Sequence, residues 1–208
     1  MPRRSSAIAF VLAVLALTAW AAPEAVARER YVFLVSRVDL GKGVPHEVEA
    51  QVLARLGAAI AGHEELESAL AKDAPDPGAE PNKFKQYVKA KGRRVFKVNV
   101  EVSQYSIEVE PGPGPGGRSG TERRASQYVT VRVALRLFGE TVPDRVMAFT
   151  GDGSATVKIE VGKTVRPRDR EEATSAALDQ AVASAIAESL ARLKQPPPSS
   201  GKKKRGKA

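Results

Sequence analysis

The sequence contains no cysteine. This absence excludes disulfide bonds, thiol catalysis and metal sites built from thiolates. It also leads us to expect that the protein is not a bacterial lipoprotein, because lipidation requires a cysteine at the cleavage site. A folded region without disulfides must be held together by its hydrophobic core.

Other chemical groups are scarce or wrongly spaced. The two histidines, His46 and His63, flank one predicted helix, and neither begins an H-E-x-x-H zinc motif. Ser154 does not stand in a G-x-S-x-G nucleophile elbow. The Gly162-Lys163-Thr164 triplet lacks the earlier glycine of a phosphate-binding loop, since Val157 occupies that position. The sequence therefore predicts no cofactor, no metal site and no enzymatic activity.

Only one long apolar run is present, at residues 7–19. Arg3 and Arg4 precede it, and A-x-A sites ending at Ala21 and Ala27 follow it, which is the pattern of a secretory signal peptide. We favour cleavage after Ala27, with Ala21 as the alternative. An uncleaved membrane anchor is disfavoured because the run is shorter than the ~20 residues of a membrane span. Residues 1–27 thus predict a periplasmic or secreted protein without a transmembrane segment after cleavage.

Positive charge is concentrated at the end of the chain. The net charge is +9, of which the last seven residues contribute +5. The remaining charge does not predict nucleic-acid binding. Residues 196–208 are rich in proline and lysine and predict a disordered tail. The tail and a basic cluster before the last helix are candidate contacts for anionic lipid, lipopolysaccharide or cell-wall polymer: Lys163, Arg166, Arg168, Arg170, Lys202, Lys203, Lys204, Arg205 and Lys207.

Residues 28–195 show the patterns of one folded domain. An apolar, β-branched run at residues 31–38 predicts a buried strand. After Pro45, an i, i+4 spacing predicts an amphipathic helix ending near Gly62, through Val48, Val52, Leu56 and Ile60, with Leu53 beside them. Residues 64–70 fit either a short strand or a helical turn. A short second helix is predicted to have Phe84, Tyr87 and Val88 on one face and to stop at Gly92.

The second half predicts three strands and a helix. Alternation from Phe96 to Val102 slips by one residue near Ser103 and Gln104, which predicts a β-bulge or a sharp bend. The segment 111–124 predicts a long flexible connection, and residues 129–137 predict the next strand. The strand region 146–161 is expected to be interrupted at residues 151–153 by a glycine-relaxed bend. The last helix is predicted to begin with Asp169 as N-cap and Glu172 as its capping-box partner.

Together these elements predict an α+β fold. The expected domain has a mixed, mostly antiparallel sheet of about four strands, packed with two to three helices in the order β-α-α-β-β-β-α. Strands joined by hairpin-type connections should be antiparallel.

The order and composition of these predicted elements resemble those of a known family. The helix PHEVEAQVLARLGAAI, the strands VFKVNVEVSQYSIEVE, VTVRVALRLF and MAFTGDGSATV, and the helix EEATSAALDQAVASAIAESLARL carry the resemblance, which covers most of residues 30–194. They are similar to the periplasmic α/β domain shared by the curli-secretion lipoprotein and the outer-membrane activators of penicillin-binding proteins. This resemblance implies a non-enzymatic envelope domain that binds other proteins.

Three functions follow as hypotheses. The first is an envelope module that binds or assembles proteins, as the export signal and the resemblance imply. The second is an exported hydrolase that uses carboxylates such as Asp152, which lies between two glycines, or Glu101. The third is a tether in which the basic tail holds the protein to an anionic envelope surface.

Overall fold

The computed structural model describes residues 29–112 and 126–195. Along the chain they form β1 (Arg30–Leu40), α1 (Glu47–Ala61), β2 (Leu66–Glu67), α2 (Pro81–Ala90), β3 (Arg93–Pro111), β4 (Gln127–Thr141), β5 (Met147–Val161) and α3 (Pro167–Lys194). The predicted signal peptide 1–27, the tail 196–208 and most of the predicted flexible connection lie outside the described residues.

The strands form one mixed sheet in the order β2-β1-β3-β4-β5. β1 runs parallel to both β2 and β3, whereas β3, β4 and β5 are successively antiparallel. The predicted α+β fold with one domain is confirmed. The sheet has five strands rather than about four, because the segment that fitted either a strand or a helical turn contributes the two-residue β2.

Helices α1 and α3 cover one face of the sheet, which we call the helix face. The i, i+4 stripe of α1 is buried there, as predicted. Leu53 does not join it, since 39% of its surface is exposed. Three aromatic rings from three strands pack at the centre of this core. Phe33 stacks on Phe149 with their centroids 5.2 Å apart, and Phe96 meets Phe149 edge-on at 5.4 Å.

The predicted bulge in β3 is confirmed, since the pairing of β3 with β4 shifts between Val102 and Gln104. Beyond the bulge, Ile107 and Val109 pair with Val131 and Val129 of β4. The two β3 side chains are 37% and 42% exposed, because β3 here extends past the end of β1. The alternation in the sequence therefore marks a face of the strand rather than full burial.

Strand β5 is continuous through Gly151 and Gly153, and the predicted interruption is wrong. Both glycines lie on the helix face directly below α3. A Cβ atom at Gly151 would collide with Ser189, and one at Gly153 would collide with the backbone of Ala181. The glycines serve a close approach of helix to strand, which is a second reason for glycine within a strand.

The predicted start of the last helix is also wrong. The N-cap is Arg166, with Pro167 in the first helical turn, so the helix begins earlier than an Asp169 N-cap would place it. Asp169 instead stands at the third helical position, where its Oδ2 accepts a hydrogen bond from the Arg166 N–H at 2.8 Å. Proline suits this first turn because its missing N–H has no helical partner there.

The opposite face of the sheet, which we call the open face, is covered only at one end by residues that the structure describes. There α2 buries Phe84 against Val32 and Val95, with Val88 partly buried beside them. Further along, this face carries exposed charged pairs between neighbouring strands, such as Arg132 with Glu108. Because α2 covers only this end, a hollow is left on the sheet where the helix stops.

Candidate binding pocket beside strand β1

A cavity of about 620 Å³ lies where α2 stops covering the open face. We call it the β1 pocket. Its floor follows one cross-strand row of the sheet, in which Leu34 pairs with Lys97 and Lys97 pairs with Glu140. Its lining comes from β1 (Leu34, Val35, Ser36), the approach to α2 (Pro77, Gly78, Pro81), β3 (Lys97) and the end of β4 with its turn (Glu140, Thr141, Val142, Pro143, Arg145).

The pocket borders a free edge of the sheet. β2 pairs only with Tyr31 and Val32 of β1, so the rest of β1 has no strand neighbour on that side among the described residues. The pairing of β1 with β3 jumps from Val35 to Arg37, which leaves Ser36 as an extra residue in a bulge. Bulges bend a strand and redirect its side chains. The pocket thus opens where the edge of β1 is both unpaired and bent.

One wall of the pocket is the approach to α2. The Asp76 carboxylate accepts hydrogen bonds from the N–H groups of Gly78 and Ala79 at 2.6 and 3.2 Å. The Asp76 carbonyl accepts a further bond from the Glu80 N–H at 2.8 Å. A side chain that bonds the backbone two and three residues ahead fixes a tight turn. This turn holds Pro77 and Gly78 against the sheet as an apolar wall.

The facing wall is the turn from β4 to β5, which contains a cis peptide bond between Val142 and Pro143. Arg145 has a φ of 55°, in the left-handed region that non-glycine residues rarely adopt. Its N–H donates to the Thr141 carbonyl, and the Thr141 N–H donates to the Val146 carbonyl, both at 2.8 Å. These bonds hold the backbone of Arg145 in place.

The same turn is tied to the rest of the domain at two points. The Val142 N–H donates to the Val95 carbonyl at 3.0 Å. Lys85 of α2 forms an ion pair with Asp144 at 2.6 Å. The two walls are therefore connected through α2. This helix directly follows the first wall, and its Lys85 forms the ion pair with Asp144 of the second wall.

Three charged side chains line the pocket without a partner. Lys97, Glu140 and Arg145 form no side-chain hydrogen bond or ion pair with the residues that the structure describes. The remaining lining is mainly aliphatic or proline. Apolar walls with a few polar groups are the usual composition of a ligand pocket, and the volume lies within the usual range of about 300–1,000 Å³.

The structure places the predicted basic cluster at the other end of the molecule, around the start of α3. Lys163, Arg166, Arg168 and Arg170 are all exposed there. Lys163 and Arg166 border a cavity of about 550 Å³, together with the carboxylates of Glu160, Asp169 and Glu172. The cavity is therefore mixed in charge. The other candidate contacts, Lys202, Lys203, Lys204, Arg205 and Lys207, lie outside the described residues.

Asp152, the carboxylate of the hydrolase hypothesis, is engaged by a neighbour. It lies on the open face of β5 and forms an ion pair and hydrogen bond with Arg136 of β4. This hydrogen bond, followed by the charge of Asp152, raises the pKa of the Arg136 guanidinium above its usual value. On the other side of Arg136, Glu101 of β3 lies directly opposite it in the strand register, in the same cross-strand row. The two carboxylates thus flank one guanidinium.

The histidines lie at opposite ends of α1. His46 is the N-cap residue and its Nδ1 stands 3.2 Å from Glu49, whereas the Nδ1 of His63 accepts a hydrogen bond from the Glu65 N–H at 3.3 Å. Within residues 29–112 and 126–195, no three His, Asp or Glu residues are grouped as metal ligands. In the same part of the chain, no helix has the length and apolar character needed to cross a bilayer.

Comparison with known proteins finds a likeness in structure only. No protein-family model matches the sequence, and no curated protein matches it. A minor lipoprotein from Acinetobacter baumannii matches with 11% identity and a TM-score of 0.37, over 82% of this chain and 98% of that one. A Xanthomonas campestris protein of the DUF330 family matches with 9% identity and a TM-score of 0.38, over 76% and 83% of the two chains.

Further solved structures that match include uncharacterized lipoprotein B from Nitrosomonas europaea, with 9% identity and a TM-score of 0.35, over 74% of this chain and 77% of that one. Structures that resemble this fold thus include bacterial lipoproteins. At such identities and TM-scores, the likeness transfers no ligand, partner or activity to this chain. The finer resemblance to curli-secretion and penicillin-binding-protein activator domains stays a prediction.

Proposed function

We propose that this protein is an exported, non-enzymatic binding module of the cell envelope, and that it holds an extended segment of a partner protein at the β1 pocket. The signal-peptide pattern of residues 1–27 supports export. The observation that carries the binding role is the coincidence of a free strand edge with a pocket, at Leu34, Val35 and Ser36.

This coincidence suits strand addition. In that mode, an extended peptide pairs its backbone with an exposed sheet edge, and a neighbouring pocket accepts one of its side chains. The backbone pairing supplies affinity and the pocket supplies sequence preference. The added strand would continue the line of β2 along β1, starting beyond Val32, where the pairing with β2 ends.

The other long edge of the sheet is less suited to this role. β5 is the edge strand on that side, and α3 reaches over it: the Asp152 N–H donates to the Glu188 carboxylate at 2.8 Å. An edge whose N–H is already bonded offers fewer groups to a new strand. The β1 edge is therefore the better docking site.

Hydrogen exchange tests the proposal directly. Peptides of random sequence, displayed on phage, are selected on the mature protein, and a selected peptide is then added to the isotope-labelled protein. We expect slower exchange of backbone N–H groups within residues 33–37 of β1, because an added strand bonds them. Exchange at residues 155–161 of β5 serves as the internal control. Peptides that bind but protect β5 instead, or the failure of selection to yield any peptide, would contradict the proposal.

The basic residues supply a second candidate function, contact with an anionic envelope surface. Lys163, Arg166, Arg168 and Arg170 are exposed, and their side chains have no hydrogen bond or ion pair with the described residues. Such cations attract anionic lipid with an energy that salt screens. We expect the protein to co-sediment with phosphatidylglycerol vesicles and not with phosphatidylcholine vesicles.

Two variants then locate the contact. Replacing the four residues by glutamine tests the start of α3, and deleting residues 202–208 tests the tail. Equal sedimentation with both vesicle types, or salt-insensitive sedimentation, would refute surface contact. A loss in the deletion variant alone would assign the contact to the tail.

A further inference from the structure

We infer that the β1 pocket selects a partner segment carrying a carboxylate next to an aliphatic side chain. The inference rests on the proposed function, since it names the chemistry of the segment that docks there. Three features of the pocket support it: its charges, the fixed backbone of Arg145 and its apolar walls.

The unpartnered charges of the pocket favour an anion. Lys97 and Arg145 come from different parts of the chain and line the same cavity, against the single carboxylate of Glu140. The three groups therefore carry a net charge of +1. A carboxylate bound by ionised donors forms stronger hydrogen bonds than a neutral acceptor does. Guanidinium and ammonium groups that have no internal partner are available for such bonds.

Lys97 and Glu140 form no ion pair with each other, although their positions on the sheet would allow one. They are directly opposite on β3 and β4. Side chains in this relation have Cβ atoms about 4.5–5.5 Å apart and readily form an ion pair. Opposite charges elsewhere on the open face do so, with Arg136 bound to Asp152 directly opposite it and Arg132 bound to Glu108 diagonally across from it. The row in the pocket differs in leaving its lysine without such a partner among the described residues.

Arg145 is held at the pocket against a backbone preference. Its left-handed conformation costs of order 1 kcal/mol or more for a residue with a side chain. Glycine would adopt the same φ freely. The turn keeps an arginine here, with its N–H bonded to Thr141 and the preceding Asp144 bound to Lys85. Strained residues cluster at ligand sites, where the surrounding structure fixes them.

The walls account for the aliphatic part of the ligand. Pro77, Pro81 and Pro143 have no N–H to donate, and Leu34 and Val142 present hydrocarbon. A polar side chain enclosed among these groups would lose its hydrogen bonds to water without replacement. An aliphatic side chain loses nothing there and buries apolar surface.

The carboxylate has two sources in a protein segment: the C-terminus, or an aspartate or glutamate side chain. Both present the same planar anion to Arg145 and Lys97. Synthetic versions of a selected peptide distinguish them. One version has a free C-terminus, one has a C-terminal amide, and one has each internal acid replaced by its amide.

The test is the affinity of these peptides for the mature protein and its variants, measured by fluorescence anisotropy. Arg145→Gly removes the guanidinium while suiting the backbone conformation, and Lys97→Gln removes the ammonium from an exposed position. We expect each to raise Kd by about tenfold or more, which corresponds to the loss of one charge-assisted hydrogen bond. Glu140→Gln should lower Kd, because it removes the like charge.

Controls separate the specific effect from net charge and from folding. Lys89→Gln makes the same charge change at an exposed α2 position outside the pocket lining, and it should leave Kd within about twofold. Arg145→Lys keeps a cation if Arg145→Gly alters the turn. The thermal midpoint of each variant confirms that it folds.

Each outcome decides the inference. If amidation of one carboxylate source weakens peptide binding, and Arg145→Gly weakens binding of the unmodified peptide to a similar extent, the carboxylate inference is supported. The amidated source is then the carboxylate that the pocket binds. Equal binding of all peptide versions, with unchanged protection of β1, overturns the carboxylate inference and leaves the proposed function standing. Failure to find any peptide that protects β1 overturns both.

Discussion

Gly153 of β5 lies directly beneath Ala181 of α3, so that a side chain at Gly153 would collide with the Ala181 carbonyl oxygen. Further along α3, a side chain at Gly151 would in the same way collide with the Ser189 hydroxyl. The small side chains of α3 on this side, including the buried Ala181 and Ala185, complete the close contact. The helix is therefore positioned by the absence of side chains on the strand below it.

Gly153→Ala should destabilise the domain, because the added methyl must push α3 away from the sheet. Overpacking of this kind costs about 1–3 kcal/mol in the free energy of unfolding. The measurement is urea unfolding followed by circular dichroism. Gly57→Ala is the matched control: Gly57 lies in α1 with open space around it, and alanine there should stabilise by about 0.5–1 kcal/mol. Equal effects of the two substitutions would contradict the close contact.

Two leucines three residues apart on α1 should respond differently to truncation. Leu56 is 1% exposed within the core, whereas Leu53 is 39% exposed. Leu56→Ala should cost about 2–5 kcal/mol, since it leaves a cavity. Leu53→Ala should change the unfolding free energy by less than about 0.5 kcal/mol. Comparable losses from both would mean that α1 is rotated relative to the described packing.

The sequence predicted features that depend on neighbours along the chain. The burial of Val48, Val52, Leu56 and Ile60 follows from their helical period, and the bulge after Val102 follows from a slip in the strand period. It mispredicted the glycines of β5, because their role depends on α3, some 30 positions away along the sequence. It also assigned the N-cap to Asp169, whose carboxylate instead accepts a hydrogen bond from the Arg166 N–H from the third helical position.

The β1 pocket could not be predicted in the same way. Its walls meet through tertiary structure: Pro77 precedes α2, Lys97 lies on β3 and Arg145 follows β4. Residues 74–82 are rich in proline and Val142-Pro143-Asp144 has the composition of a turn, patterns that by themselves indicate only connections. Nothing local to Arg145 indicates its left-handed backbone or its place in the same pocket as Lys97, because both depend on the hydrogen bonds of the turn and on the pairing of the strands.

Two buried threonines should respond in opposite directions to loss of the hydroxyl. Thr130 is 4% exposed and its Oγ1 has no hydrogen-bond partner among the described residues. Thr174 is 6% exposed and shares a 3.3 Å hydrogen bond with the Tyr105 hydroxyl. Thr130→Val should stabilise by about 1 kcal/mol, because it removes an unsatisfied polar atom, whereas Thr174→Val should cost about 1 kcal/mol. Thermal unfolding of the two variants beside the parent protein measures both. Destabilisation by Thr130→Val would reveal a partner for its hydroxyl.

The bond between Glu188 and the edge of β5 should make stability depend on pH. Hydrogen bonds from Arg192, and then from the Asp152 N–H, lower the pKa of the Glu188 carboxyl below its usual value of 4.5. A carboxyl whose pKa is lowered by folding stabilises the protein above its unfolded pKa, and this contribution is lost as the pH falls through the lowered folded value. Glu188→Gln should therefore flatten the loss of stability on the acid side.

The measurement is the urea midpoint from about pH 7 down to about pH 3 for the parent protein and the variant. Glutamine retains an oxygen that can accept from the Asp152 N–H, so the difference isolates the charge, whereas Glu188→Ala removes the acceptor as well. Glu171→Gln, at an exposed position in the first turns of the same helix, controls for a change in net charge. If Glu188→Gln and Glu171→Gln follow the same acid profile, the carboxylate of Glu188 does not stabilise the β5 edge through its charge. If Glu188→Ala also promotes self-association while Glu188→Gln does not, the hydrogen bond to Asp152 protects the edge strand from pairing with another chain.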